Sequence, residues 1–122
     1  VKQPVLNIEV TPYKNHLRLY TDEAKYIAAV KEYDPNMDEE RVQWCQGQCT
    51  SCQDGALIVG YFNGGLEVLV HELTHAVFYI FERVRTEASA ANSEPFCYLL
   101  EHLTKECLNA LKEKTRKPAR GK

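Results

Sequence analysis

Between Leu66 and Val84 the apolar residues recur at helical spacing. Leu66, Leu69, Val70, Leu73, Val77, Ile80 and Val84 form one stripe, which predicts an amphipathic helix ending at Arg83 or Val84. Phe96, Leu99, Leu100, Leu103, Cys107 and Leu111 form a second stripe, and predict a last helix capped by Asn92 or Ser93 with Pro95 in its first turn. An earlier helix is predicted from a cap at Thr21 or Asp22 to Tyr33. Ala24, Ile27, Ala28 and the stem of Lys31 share its inner face, and Asp34-Pro35-Asn36 stops it.

Elsewhere the period is two. Val5 to Val10 and His16 to Tyr20 alternate apolar with polar side chains as half-buried strands do, with Thr11-Pro12 breaking them. Ala56 to Phe62 is a β-prone apolar run closed by Asn63-Gly64-Gly65, whereas Asp38 to Asp54 is polar and turn-rich. The expected fold class is therefore α+β: a small antiparallel or mixed sheet packed on three helices, forming one domain over residues 1–111. Residues 112–122 carry six Lys and Arg and almost nothing apolar, which predicts a basic, mobile tail.

Composition narrows the function classes. With 122 residues and 44% hydrophobic content the chain can bury one core, and a formal charge of −2 argues against a broad nucleic-acid surface. No run of about 18 apolar residues and no charged-then-apolar leader pattern is present, so no membrane contact is expected. Five cysteines, three of them at 45, 49 and 52, make a poor disulfide framework and point to a reducing compartment, the cytoplasm.

The chemistry sits in His71-Glu72-Leu73-Thr74-His75, an H-E-x-x-H arrangement. On a helix two residues four apart differ by about 40°, so both imidazoles can converge on one metal ion. They point away from the Leu73 stripe, with Val68 and Phe78 beside them, which predicts a covered cleft. Zinc suits two neutral imidazoles and a carboxylate, with a fourth position for water, and Glu72 is the carboxylate that can take that water's proton. The bland alternative is a helix with two ordinary histidines.

A third ligand is needed. Glu94 stands nineteen positions after His75, in the first turn of a helix that can fold back, and shares one side of it with Tyr98 and Glu101. Tyr98 could donate a hydrogen bond to a developing oxyanion, or simply edge the core. Glu94 could equally do no more than complement the positive end of its helix. Cys49 and Cys52 are the rival ligands, since thiolates bind zinc well. A separate zinc on Cys45, Cys49 and Cys52 lacks a fourth ligand at a usual spacing, and Cys97 and Cys107 are expected in the core.

Val70-His71-Glu72-Leu73-Thr74-His75-Ala76-Val77, followed by Glu94-Pro95-Phe96-Cys97-Tyr98-Leu99-Leu100, resembles the gluzincin type of zincin metallopeptidase. With Gly60-Tyr61-Phe62-Asn63-Gly64-Gly65 ahead of it, the run also resembles short H-E-x-x-H proteins encoded by tailed phages and prophages. The resemblance implies a minimal zincin-like core in which the strand at Ile58 to Phe62 offers its edge to an extended substrate. It implies His71, His75 and Glu94 as Zn2+ ligands, and Glu72 as general base. Phe78 and Phe81 stand where a metzincin needs Gly and a third His, so that branch is excluded.

Two functions follow. One is a zinc-dependent hydrolase, a peptidase, in the cytoplasm of a bacterial or infected host cell. Its expected partners are a peptide or protein substrate and a protein that supplies the cleft wall missing from so short a chain. The other is a non-catalytic, zinc-stabilised accessory or regulatory binding module, whose metal shell is closed by protein ligands. Nucleic-acid binding rests on the basic tail alone, for which a solvated segment is the simpler reading.

Overall fold

The computed structural model describes the backbone of residues 3–120 and the side chains of residues 3–115. Strand β1 (Leu6–Val10) turns back antiparallel onto β2 (Asn15–Tyr20), with Ile8 opposite Leu17. Helices α1 (Glu23–Lys31) and α2 (Glu40–Gln43) and strand β3 (Gly47–Ser51) follow, then β4 (Ala56–Tyr61). β4 runs parallel to β2 and antiparallel to β3, giving one mixed sheet in the order β1-β2-β4-β3. Helix α3 (Leu66–Arg83), a 3-10 turn (Ala90–Asn92) and helix α4 (Ser93–Arg120) complete the α+β fold.

The sheet separates two cores, because successive strand residues point to opposite faces. Leu17, Leu19, Leu57 and Val59 pack under α3 and α4 against Leu69, Leu73, Ile80, Leu99, Leu103 and Cys107. Tyr20, Ala56 and Ile58 pack on the other face against Tyr26, Ala29 and Val30 of α1 and Val42 of α2. β4 lies between two strands and under both cores, which is why its sequence is an unbroken apolar run rather than an alternating one. It follows that β4 has no free edge: the sheet edge beside α3 belongs to β3, not to the strand at Ile58 to Phe62.

Two further expectations are corrected. The polar stretch from Asp38 to Asp54 contains α2 and β3. α1 centres its inner face on Tyr26, Ala29 and Val30, with Ile27 packed at the edge of that core and Ala24 exposed, because the Tyr26 ring fills the space over Gly60 and its hydroxyl reaches the Thr50 hydroxyl at 2.7 Å. Asp22 caps α1, its carboxylate accepting from the backbone N–H of Ala24 and Lys25. The backbone of α4 continues to Arg120, so the basic stretch after Leu111 extends the last helix; Gly121 and Lys122 lie outside the described residues.

Candidate metal centre

α3 places its chemistry by period. Leu69, Leu73, Ala76 and Ile80 face the sheet and are fully buried, so residues about 160° away around the helix stand on the outer side. His71 and His75 stand there, one turn apart, their ring centroids 4.9 Å from each other and their planes at 77°. Tyr79, a further turn along, stacks on His75 with centroids 6.4 Å apart and planes at 26°. The Thr74 hydroxyl donates to the carbonyl of Val70 at 2.7 Å, which ties that side chain to the helix itself.

The histidines are exposed, not roofed by a cleft. The two apolar neighbours expected to cover them lean sideways: Val68 closes over Gly47 of β3, and Phe78, 50% exposed, meets Phe96 of α4 edge to face at 5.0 Å. Both residues thus serve the flanking contacts of α3, and the outer side between them stays open.

Glu72 points elsewhere. It retains 8% exposure and is turned towards β3, where a Cβ built on Gly47 would sit 3.0 Å from its Cγ and 2.9 Å from the carbonyl oxygen of Gly60. Only glycine lets the edge strand come this close to the helix. Burial raises the Glu72 carboxyl above its ordinary value, and the positive charge that His71 and His75 can carry pulls it back down. Cys49, on the same face of β3, lies near enough for the carboxylate to add to the effect of burial in pushing its thiol up.

The remaining candidates are not gathered around the histidines. Glu94 is exposed in the first turn of α4, and Tyr98, one turn on, is 66% exposed. Cys49 belongs to the core under α3 and Cys52 to the core under α1, so the sheet separates the two rival thiols. Burial raises the Cys52 thiol to about 11 and pushes the Cys49 thiol up as well, which disfavours the thiolate form of both in the metal-free protein. Among the described residues no group of three His, Cys, Asp and Glu is placed to hold a metal ion. The imidazole pair fits two positions of a zinc shell, and a third ligand has to be brought to it.

Cys107 is buried as expected, its thiol raised to about 12 by burial, but Cys97 is exposed because it falls beside the inner stripe of α4 rather than on it. Two residues went unnoticed in the sequence. Tyr79 carried a signal, since it repeats the four-residue spacing of the histidines. Gly47 carried none, because its importance comes from a strand pairing with β4 that no local pattern announces. Among the described residues no helix is long and apolar enough to cross a membrane. Comparison with protein-family models, curated proteins and solved structures finds no match to this chain.

Proposed function

We propose that this protein is a zinc-dependent hydrolase of peptide bonds, with His71, His75 and Glu94 as ligands and Glu72 as general base. The observation that carries the reading is the division of labour on α3. Two imidazoles stand together on the outer side, and the one carboxylate between them is turned into a partly dry seam beside an edge strand. Zinc held by the pair would supply Lewis acidity and lower the pKa of a coordinated water to about 7.

Glu72, with its proton affinity raised by burial, is suited to accept a proton from the attacking water and return it to the leaving amine. β3 has β4 on one side only, so its outer N–H and C=O groups are available to an extended chain laid along it, next to Glu72. Glu94 is exposed, and bringing it to the histidines requires the first turn of α4 to shift along α3, since Phe96 packs against Phe78 and Phe81. Tyr98 follows it on the same side of α4 as a hydrogen-bond donor to the developing oxyanion, and Tyr79 holds the plane of the His75 ring.

A second reading is a zinc-stabilised binding module without catalysis, whose metal shell is closed by protein ligands. Zinc X-ray absorption on the wild type and Glu94→Ala separates the two. Two imidazoles, a carboxylate and a water in the wild type, with the carboxylate lost in Glu94→Ala, is the expected result. Sulfur in the shell, or four protein ligands, selects the binding module. Glu72→Gln should retain zinc and lose hydrolysis of a casein substrate, and retained hydrolysis removes Glu72 from the mechanism.

A further inference from the structure

A cavity of about 580 Å³ opens between the N-terminal half of α3 and the outer side of α4, within the range of small-ligand and peptide side-chain sites. Val70, Cys97, Leu100 and Leu108 supply its apolar surface. A second hollow of about 340 Å³, lined by Phe78 and Phe96, shares Cys97 with the first, so the two adjoin along α4. The groove is tied to the candidate site by sequence: Val70 immediately precedes His71, and Phe78 follows His75 by three residues. Val70 remains 38% exposed and Phe78 half exposed, although both are large and apolar. Exposed apolar surface concentrated beside a reactive site marks a binding surface more often than scattered single residues do.

The charges in the lining are unequal. Glu101 contributes one carboxylate, and Lys105 and Lys112 contribute two ammonium groups, both on the side of Leu100 remote from Cys97. At about 1.5 Å per helical residue, Lys105 and Lys112 lie roughly 8 and 18 Å along α4 from Leu100. An extended chain rising about 3.3 Å per residue covers those distances in two to three and five to six residues.

We propose that this groove binds the substrate chain beyond the segment laid along β3, and that it selects a bulky apolar side chain followed at a spacing of two to six residues by acidic ones. The apolar side chain fills the space between Val70 and Leu100, and the carboxylates meet Lys105 and Lys112. The identity of the occupant as a substrate rests on the hydrolase reading, but its binding does not require zinc.

The test is fluorescence anisotropy with metal-free protein at low salt and three fluorescein-labelled peptides. One carries a leucine-phenylalanine pair with aspartates two and five positions on, the second has lysines in place of the aspartates, and the third has serines in place of the apolar pair. The first should bind at least about tenfold more tightly than either control, as expected for one buried apolar side chain or a pair of charge contacts. Val70→Asp should weaken it by about the same factor. The double variant Lys105→Glu, Lys112→Glu changes only exposed side chains, leaves the circular dichroism spectrum unchanged, and should reverse the preference between the aspartate and lysine peptides. Equal affinity for all three peptides, or no binding of any, overturns the proposal. Selective binding by a protein that takes up no zinc retains the groove and sinks the hydrolase, whereas zinc-dependent cleavage indifferent to the apolar-acidic pattern does the opposite.

Discussion

On the side of α3 that faces the sheet, Leu69, Leu73, Ala76 and Ile80 are fully buried among side chains of β1, β2, β4 and α4; on the opposite side His71 and His75 stand in solvent beside half-exposed Val70 and Phe78. The first side is shaped by what the fold requires. The second is open to solvent, and the pair of histidines there, with Tyr79 stacked on His75, leaves room for a ligand. The difference can be put as free energies.

Leu73→Ala should cost about 2–5 kcal/mol in urea unfolding, the range for a buried leucine whose cavity does not collapse. His71→Ala in the metal-free protein should stay within about 0.5 kcal/mol of the wild type, as exposed substitutions do. A loss above about 1.5 kcal/mol for His71→Ala would mean that the outer side is needed for folding, and the contrast would fail. Adding zinc then sharpens it. Free zinc at one hundred times its dissociation constant should stabilise the wild type by about 2.7 kcal/mol, because the metal binds the folded chain, and should leave His71→Ala and His75→Ala unmoved. A thermal melt with and without zinc reads both.

The contrast also explains what could be read from the sequence. α3 was legible to within a residue at either end, because Leu66, Leu69, Leu73, Val77 and Ile80 repeat at its period and Asn63-Gly64-Gly65 marks its start. β4 was legible as a buried apolar run, and β1 and β2 as alternations. β3 was not: Gln48, Cys49, Thr50 and Ser51 show no alternation of burial, and the strand exists because its backbone pairs with β4. The inner face of α1 was misread since two alanines and an isoleucine outweighed Tyr26, whose ring needs the gap left by Gly60. The histidine pair was legible from spacing alone. Their exposure was not, because it depends on Val68 and Phe78 turning aside to contacts that are distant in sequence.

Gly47 is where that hidden strand meets the site, so it gives a smaller but sharper test. Gly47→Ala would set its methyl group 2.9 Å from the Gly60 carbonyl oxygen and 3.0 Å from side-chain atoms of both Glu72 and Val68. Backbone cannot yield there cheaply, and the substitution should cost about 1–3 kcal/mol, the usual penalty for overpacking. Urea unfolding checks it. A neutral outcome would show that β3 does not press on α3, and would remove the reason for the burial of Glu72.

The smallest effect belongs to the other side of the sheet, where a second polar cluster also contains a histidine. Arg18 donates to the Tyr33 hydroxyl at 2.8 Å, Tyr33 donates to Asp54 at 2.9 Å, and His16 lies 3.4 Å from the Arg18 guanidinium. These groups satisfy one another, in contrast to the pair on α3. The backbone N–H of Ala56 holds the Asp54 carboxyl below the usual carboxylate range, helped by the Tyr33 hydroxyl and by His16 and Arg18. A depressed pKa gives stability that is present above the ordinary aspartate value of about 4 and is lost as the pH falls through the depressed one. Asp54→Asn keeps one oxygen for the Ala56 N–H and sets an amide NH2 where the second oxygen accepts from the Tyr33 hydroxyl, so it removes the charge and one hydrogen bond, and the group is too exposed for either to weigh heavily. The variant should be slightly less stable than the wild type at pH 7, and the gap should narrow as the pH falls below the ordinary aspartate value of about 4 in urea titrations. Its zinc response should equal that of the wild type, since the sheet stands between this cluster and His71 and His75; a lost response would mean that the two faces are coupled, and that the histidine side of α3 depends on more of the fold than its exposure implies.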